Sequence, residues 1–282
     1  MDRAQTDTAP ILERLDPAER LAVADPLCGE AADPVEEMVS RGFHIVRCRR
    51  CGLAWSDPHL TDQALARLVY TDGYIADQWK RPRRRPLLSR LWRALRGACV
   101  PIGHVEKRWA AARRWLPTRE PLEVLEVGCW TGEFLSLSAT RAPLWRVRGL
   151  EPSAFAVAHA RELGLDVEQS SLEEADLPPD AFGGLIAWNV LEHTRNPVTF
   201  LFAARRVLRK GGRCVLHLPN YGGLRARLAG PRWPILLPEQ HRWHFTQAAL
   251  RRVLDATEAE VLHLRSFWGN VGSQTLAVVR WS

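Results

Sequence analysis

One stretch of the chain, residues 123–135, has the sequence EVLEVGCWTGEFL. Its apolar first half is typical of a buried strand, its glycines Gly128 and Gly132 indicate a tight turn, and the residues that follow favour a helix. A strand that runs through a glycine turn into a helix is the cofactor-binding element of doubly wound α/β folds. This stretch constrains the fold more than any other feature of the sequence.

Strands and helices are predicted to alternate from residue 122 onward. Apolar runs predict strands at 122–128, 146–151, 165–169, 184–189 and 212–219, and the segments VLHLRSF and TLAVVRW near the end predict two more. Helical patterns cover 131–141, 153–163, 197–209 and 246–256. The alternation predicts an α/β fold with a doubly wound, Rossmann-like sheet that is covered by helices on both faces.

The glycine turn departs from the dinucleotide pattern G-x-G-x-x-G/A. Aligned from Gly128, the second and third positions hold Trp130 and Glu133. The indole of Trp130 would obstruct a pyrophosphate, and Glu133 in the first turn of the helix would repel a phosphate anion. The turn therefore disfavours NAD, FAD and nucleoside triphosphates.

Two carboxylates around the turn favour a cationic cofactor that contains a ribose. Glu126 ends the first strand, and Glu151 ends the second strand in GLEPS, at about the 20-residue spacing expected of a ribose-binding acid. S-adenosylmethionine (SAM) carries a sulfonium, an ammonium and a ribose, and it has no phosphate. Glu126 suits the ammonium, and Glu151 can accept both ribose hydroxyls.

Five segments in succession resemble the motifs of class I SAM-dependent methyltransferases: EVGCWTGEFL, GLEPS, SLEEADLP, AWNVLEHTRNP and RVLRKGGRCVLHLPN. The resemblance covers about residues 122–282 and implies a seven-stranded sheet whose last strand is antiparallel. It also implies a cofactor site, with Glu126, Gly128, Cys129, Thr131 and Gly132 around the methionine part, Glu151 at the ribose with Pro152 opening the next helix, Ser171 and Leu172 at the adenine, and Asn189 beneath the cofactor.

Three cysteines lie in the N-terminal region. Cys48 and Cys51 form a C-x-x-C knuckle, and Cys28 in PLCG lies about twenty residues earlier. Two knuckles at such spacing make a four-thiolate zinc ribbon, but Asp25 stands where the fourth cysteine would be. The run DPLCG…IVRCRRCGL resembles a ribbon that members of the methyltransferase family carry. The resemblance implies a structural Zn²⁺ site of Asp25, Cys28, Cys48 and Cys51; the alternative is a relic that folds without metal.

Two histidines are candidates for catalysis. His193 follows the fourth predicted strand, where class I active sites open, and His241 lies in segment 221–245, which resembles the substrate-covering insertion of the family. Either could remove a proton from an acceptor while the enzyme holds the two reactants in line. A structural role is the alternative for both, and it is favoured for His244.

The positive charge of the chain is local. The net charge is +7, and residues 80–96, KRPRRRPLLSRLWRALR, hold eight basic and no acidic side chains. Three interpretations compete: a solvated helix with its leucine face on the core, a peripheral membrane contact, or a nucleic-acid contact that no accompanying motif supports. No export signal or membrane-spanning run is apparent, so we expect a cytoplasmic protein, membrane-associated only if this segment binds a bilayer.

The sequence thus predicts four regions: a flexible N-terminus at 1–22, a zinc-ribbon-like module at 23–60, a helical, basic linker at 61–120, and a methyltransferase domain at 121–282. The expected function is transfer of a methyl group from SAM to oxygen or carbon of a small-molecule acceptor, such as a sugar, glycan, quinone or polyketide-like metabolite. The alternative is a non-catalytic SAM-binding or scaffold protein. The sequence carries no indication of an oligomeric state.

Overall fold

The structure is a computed structural model that describes residues 11–68, 104–266 and 272–282. The basic segment 80–96, for which the sequence left three interpretations, lies outside the described residues. No helix of the described ranges is long and apolar enough to span a bilayer.

The N-terminal region consists of short strands and turns. Residues 11–21, which belong to the N-terminal region expected to be flexible, contain two 3-10 turns, at Ile11–Arg14 and Pro17–Glu19, followed by a strand. The strands and the helix of the region are β1 (Arg20–Leu21), β2 (Pro34–Ser40), β3 (Phe43–Cys48), β4 (Ala54–Asp57), β5 (His59–Leu60) and α1 (Asp62–Leu68). Within the described ranges, residues 11–21 thus contain short regular elements.

The rest of the described chain alternates between helices and strands. In chain order the elements are α2 (His104–Trp115), β6 (Leu122–Val127), α3 (Glu133–Arg141), β7 (Trp145–Leu150), α4 (Ala154–Glu162), β8 (Val167–Glu168), β9 (Phe182–Trp188), α5 (Pro197–Val207), β10 (Leu208–Pro219), α6 (Leu224–Ala229), β11 (Trp243–His244), α7 (Gln247–Asp255), β12 (Glu260–Ser266) and β13 (Gln274–Arg280). Side chains cap several helix starts; for example, Asn196 Oδ1 accepts the Val198 N–H (2.9 Å) at the start of α5.

Seven of these strands form one sheet in the order β12-β13-β10-β9-β6-β7-β8. β6 lies parallel to both β7 and β9, and β10 lies parallel to β9. The last strand, β13, is antiparallel to β10 and to β12. The predicted fold is therefore confirmed, and the chain reverses its winding direction between β6 and β9, where open α/β sheets bind their ligands.

The sequence predicted the sheet strands well because most of them are buried on both faces. All seven residues of β9 are buried, as expected for a central parallel strand. The largest differences in extent are at β8, which is shorter than predicted, and at β10, which begins at Leu208 rather than at residue 212. The segment Lys210–Gly212 continues β10 through a register shift between Leu208 and Arg213, so the helix before it ends at Val207 instead of residue 209.

A second sheet joins the N-terminal region to segment 221–245. Its order is β11-β4-β3-β2, and Trp243 and His244 of β11 pair with Trp55 and Ala54 of β4. The hydrophobic core is also continuous across the two sheets, since Leu53 and Trp55 belong to the same buried cluster as residues of β9 and α7. The cysteine-bearing region thus packs against the sheet that carries the candidate active site.

Candidate active site and metal cluster

The turn after β6 requires glycine at both predicted positions. Gly128 has a φ of +67° and Gly132 a φ of +80°. A Cβ atom at Gly128 would lie 2.6 Å from Val190 Cγ2, and one at Gly132 would lie 2.2 Å from Leu165 Cδ1. The backbone of the turn therefore approaches its neighbours more closely than a side chain allows.

Glu151 is held in place by the glycine turn. Its side chain is buried, Oε2 accepts the Trp130 N–H (3.0 Å), and Oε1 accepts the Ser153 N–H (2.9 Å). Burial raises the pKa of Glu151, and the two amide hydrogen bonds act against that shift. Each carboxylate oxygen keeps a further lone pair. The predicted ribose-binding group is therefore fixed and can still accept hydrogen bonds from hydroxyl groups.

Glu126 and Thr131 place buried polar atoms in the same region, and these atoms have no hydrogen-bond partner among the described residues. Both residues are buried, and neither the Glu126 carboxyl oxygens nor Thr131 Oγ1 has a hydrogen-bond partner among the described residues. Burial raises the pKa of Glu126 well above its ordinary value, Arg108 opposes the shift, and Glu151 and Glu133 add to it. A buried carboxyl without a partner is costly unless a cation or donor neutralises it. The ammonium of SAM can neutralise this carboxyl, so the polar groups around the turn fit the cofactor.

Two other predicted contacts have side chains that pack into the protein. The thiol of Cys129 lies in a buried cluster with residues of α3, α4 and β8, and a Cβ atom at Gly149 would be 2.6 Å from its Sγ. Leu172 is only 1% exposed and belongs to the main core. These side chains stabilise the fold around the site.

Pro152, Ser171 and Asn189 remain more accessible. Asn189 follows β9 with a φ of +55°, and its N–H donates to the carbonyl oxygen of His217 (2.7 Å). Glu126, Glu151 and Asn189 thus come together at the carboxyl ends of three neighbouring parallel strands. This is the edge of the sheet at which the sequence places the cofactor.

The two candidate catalytic histidines meet beside Glu192, which directly precedes His193 in the LEH segment. His193 lies in the 3-10 turn Leu191–His193 after β9, and its ring centroid is 4.7 Å from that of His241. One side-chain N or O atom from each of these histidines and from Glu192 can be chosen so that all three atoms lie within 4.8 Å of one another. The signal for Glu192 was its position directly before His193, at the open end of a buried strand.

Burial sets the protonation states of this trio. It lowers the pKa of His193 to about 4, with a bond to the Gln240 carbonyl acting against the shift, and it lowers the pKa of His241 well below its ordinary value. Burial also raises the pKa of Glu192 to about 8, and neither Glu192 oxygen has a hydrogen-bond partner among the described residues. At neutral pH the trio therefore consists of two neutral imidazoles and a protonated carboxyl. A divalent cation would have to displace that proton before it could use the same donors.

His193 has a defined tautomer. The Gln240 carbonyl oxygen accepts a hydrogen bond from the ring Nδ1 (3.0 Å), so Nδ1 carries the hydrogen and Nε2 carries the lone pair. A neutral imidazole in this tautomer can take a proton at Nε2. The same bond ties the turn after β9 to segment 221–245.

His244 is structural, as the sequence favoured. Its Nε2 donates to Ser56 Oγ (2.9 Å), and Ser56 Oγ donates to the His241 carbonyl oxygen (2.9 Å). Next to it, the buried Arg242 donates to the Leu60 carbonyl oxygen (2.7 Å). These bonds join β4 and β5 to the segment that carries His241, a connection that the sequence did not reveal.

The four predicted metal ligands come together in the N-terminal region. One ligand atom from each side chain lies within 4.8 Å of the others. Cys28 Sγ and Cys48 Sγ are 3.9 Å apart, and Cys51 Sγ donates to Asp25 Oδ2 (3.0 Å). Two thiolates on a tetrahedral Zn²⁺ with bonds of about 2.3 Å would be separated by about 3.8 Å, so the cluster fits the predicted ion.

Asp25 is positioned as a ligand by the knuckle that contains it. Its Oδ1 accepts the N–H groups of Leu27 (2.9 Å) and Cys28 (3.1 Å), which leaves Oδ2 directed at Cys51. Burial opposes the ionisation of Asp25, but the hydrogen bonds outweigh it and its pKa is lowered. Metal binding requires deprotonated ligands; the carboxylate of Asp25 is already ionised, and the three thiols would release their protons when the ion binds.

The fold and the donor groups around the glycine turn define a class I SAM-dependent methyltransferase fold, and a comparison of families agrees. The family described as "Methyltransferase domain" matches residues 102–264, more than half of the chain. The chain therefore belongs to the family of methyltransferase domains, and SAM is the cofactor that this family implies.

Several curated relatives match part of the chain. A protein of Mycolicibacterium smegmatis, described as a "probable S-adenosylmethionine-dependent methyltransferase", is 35% identical over 100 residues, which are 35% of this chain and 38% of the relative. A tRNA U34 carboxymethyltransferase of Tolumonas auensis is 30% identical over 134 residues, covering 40% of this chain and 38% of the relative. The matches thus span well under half the length of these relatives.

Solved structures agree on the fold. A SAM-dependent methyltransferase from Mesorhizobium loti superposes with a TM-score of 0.53 at 19% identity, covering 64% of this chain and 99% of that one. The [4+2]-cyclase SpnF superposes with a TM-score of 0.51 at 18% identity, covering 62% and 80%. At such identities the likeness concerns architecture, and chains of this architecture carry more than one activity.

Proposed function

We propose that this protein transfers the methyl group of SAM to a small-molecule acceptor. The observation that carries the proposal is the pair of buried carboxyls at the glycine turn: Glu126, which has no partner, and Glu151, which the turn itself holds. Membership in the methyltransferase family supports the same cofactor. SAM supplies an activated methyl group on its sulfonium.

The residues of this chain would bind the cofactor and position the acceptor. Glu126 would pair with the ammonium, and Glu151 would accept hydrogen bonds from the ribose hydroxyls. Gly128 and Gly132 allow the backbone to approach the cofactor without a side chain in the way. Holding the acceptor in line with the methyl group supplies much of the rate enhancement.

His193 and His241 are the candidate bases on the acceptor side. When an oxygen acceptor takes the methyl group, its proton must leave, and a neutral imidazole can accept it. Burial keeps both rings neutral at physiological pH. The protonated Glu192 beside them can donate a hydrogen bond to the acceptor or to an imidazole nitrogen.

The enclosure of these side chains supports a small acceptor. His241 is 5% exposed, and the hydrogen bond between His193 Nδ1 and the Gln240 carbonyl oxygen holds its segment, 221–245, against the turn after β9. One relative is named as a tRNA-modifying enzyme, which gives a second acceptor class to test. Incubation with tritiated SAM should label the small-molecule fraction of a cell extract; label in the tRNA fraction alone would replace the small acceptor by tRNA.

The cofactor assignment is tested by calorimetry with SAM and with NAD. We expect SAM to bind and NAD not to bind; the reverse would overturn the proposal. Glu151→Ala removes the carboxylate that would accept hydrogen bonds from two ribose hydroxyls. The lost binding free energy is about 2–3 kcal/mol, so SAM affinity should fall about 100-fold. Glu123→Ala, on the same strand as Glu126 but exposed at its other end, is the matched control and should leave SAM affinity unchanged.

We also propose that Asp25, Cys28, Cys48 and Cys51 hold a structural Zn²⁺ ion. The gathering of their ligand atoms within 4.8 Å supports this assignment. No ligand position is left for a reacting group in a four-coordinate site of four protein ligands, so the ion would stabilise the fold and take no part in methyl transfer.

A further inference from the structure

A basic groove lies at the edge of the sheet opposite to the glycine turn. It has a volume of about 910 Å³ and is lined by the C-terminal end of α2, the loop that follows it, and the first residues of β6, β9 and β10. Six of its lining residues are basic: Arg113, Arg114, Arg119, Arg209, Lys210 and Arg213. Glu120 is its only acidic lining residue among the described ranges.

Most cations of the groove have no carboxylate partner within the described part of the chain. No ion pair joins Arg113, Arg119, Arg209 or Lys210 to a carboxylate of the described residues. Many arginines elsewhere are paired, as in Arg141 with Glu106 (3.1 Å) and Arg280 with Glu260 (2.7 Å). The groove thus gathers several cations that have no carboxylate partner among the described residues into one cavity.

Three of the basic residues have a local explanation: Arg213 Nη1 donates to the Trp115 carbonyl oxygen at the end of α2, and two others belong to α2 itself. Arg113 and Arg114 lie in the last turn of α2, where cations favour the helix dipole, and Arg114 also lies over the ring of Trp115, 5.8 Å from its centroid. Arg119, Arg209 and Lys210 come from the following loop and from β10. Bringing them beside the end of α2 adds like-charge repulsion, which a bound anion would relieve.

The size and the charge of the groove indicate the ligand. Its volume falls within the range of roughly 300–1,000 Å³ typical of small-ligand sites. Guanidinium groups bind phosphate oxygens in a bidentate manner, and several cations around one cavity suit several phosphate charges better than a single carboxylate. Recognition of a nucleic-acid backbone would instead need a row of cations along successive phosphates.

The groove is separate from the cofactor site. Leu122 begins β6 at the groove, and Gly128 follows the other end of the strand. Six residues at about 3.3 Å each place the two sites about 20 Å apart. We propose that the groove binds a small ligand with at least two linked phosphate groups, as a site distinct from that of methyl transfer.

Titration calorimetry of the full chain with inorganic pyrophosphate, orthophosphate, ADP and a single-stranded RNA oligonucleotide tests this proposal. We expect pyrophosphate and ADP to bind at least tenfold more tightly than orthophosphate. Arg119→Gln/Arg209→Gln should weaken both by at least tenfold. The control Arg205→Gln/Arg251→Gln removes the same charge from two exposed ion pairs and should change affinity less than twofold.

Binding of SAM serves as the check of folding and should be the same in all three proteins. Equal, weak binding of pyrophosphate and orthophosphate by all of them would overturn the proposal. RNA binding that pyrophosphate does not displace, and that the groove variant loses, would also overturn it and would assign the groove to nucleic acid. A wild-type protein that does not bind SAM would contradict the proposed methyl transfer. The groove proposal would still be decided by the affinities for pyrophosphate and orthophosphate.

Discussion

Trp130 occupies the position of the second glycine in the dinucleotide pattern, and its backbone keeps the conformation that glycine favours. Its φ is +52°. In that conformation its N–H donates to Glu151 Oε2 (3.0 Å), so the left-handed backbone fixes the acid of the cofactor site. The prediction from the sequence used only the size of the Trp130 side chain, because the sign of φ cannot be read from a sequence.

The left-handed conformation predicts that Trp130→Gly is more stable than Trp130→Ala. A residue with a Cβ atom in this region costs roughly 1–2 kcal/mol, and the greater freedom of glycine in the unfolded chain offsets part of the gain. We expect the free energy of unfolding in urea to be about 1 kcal/mol higher for Trp130→Gly than for Trp130→Ala. Trp130→Ala is the matched control, because it removes the indole and keeps the strain. Equal stabilities of the two variants would show that the backbone carries no strain here.

Glu192 is a buried acid whose pKa is raised to about 8 from an ordinary value of 4.5. Between these values the folded protein keeps a proton that the unfolded chain releases. The contribution of Glu192 to stability therefore falls as pH rises from about 4.5 to 8, by at most about 1.4 kcal/mol per pH unit, and is constant above that range.

Glu192→Gln should remove this pH dependence. We expect the variant to gain stability relative to the wild type as pH increases from 5 to 8, measured by urea unfolding at each pH. Exposed Glu123→Gln is the control for a change of charge. A stability difference that stays flat across this range would contradict a raised pKa at Glu192.

The elements of the sheet were predictable because burial on both faces leaves continuous apolar runs. The contact between β4 and β11 was not, since β11 has only two residues and its partner lies almost 190 positions earlier in the chain. A strand of that length gives no periodic signal, and hydrogen bonds to a distant segment leave no trace in local sequence. For the same reason the sequence identified His241 as a candidate, and the hydrogen bonds that hold its segment in place could not be predicted.

Ser56 joins the two elements, and Ser56→Ala should loosen them. The substitution leaves the buried His241 carbonyl and the His244 ring without their shared partner, which costs about 1–3 kcal/mol. We expect faster amide hydrogen exchange in residues 238–245 in addition to lower global stability. Ser138→Ala is the control, because this buried serine donates only to the Leu135 carbonyl of its own helix. Unchanged exchange in 238–245 would show that the bond does not order the segment.

Across the whole molecule, the cysteine-bearing region and the sheet share one core. Cys48, Cys51 and Leu53 pack in the same buried cluster as Leu185 and Leu250. The sequence predicted both the ligand set and the sheet, because each has a local pattern. From the sequence the two appear as successive regions, because local patterns do not show which regions pack against each other in the folded protein.

The shared core predicts that metal binding affects the acceptor side of the site. Arg252 of α7 donates to the Arg50 carbonyl within the C-x-x-C knuckle (2.5 Å), and β4 follows that knuckle directly. Removing Zn²⁺ with a chelator should therefore lower the melting temperature and also increase hydrogen exchange in residues 238–245. The ion binds the folded protein in preference to the unfolded chain, so its loss lowers stability by mass action.

Asp25→Cys tests the identity of the ion. Zn²⁺ favours thiolate ligands, so a fourth cysteine should raise zinc affinity, measured by competition with a chromophoric chelator, and Asp25→Ala should lower it. The two substitutions remove the same carboxylate and the two amide bonds that it accepts, so a purely structural role for Asp25 would make both variants less stable. Opposite effects on zinc affinity require a metal at the cluster. Purified protein without zinc, whose melting temperature is insensitive to chelator, would instead identify the cluster as a module that folds without metal.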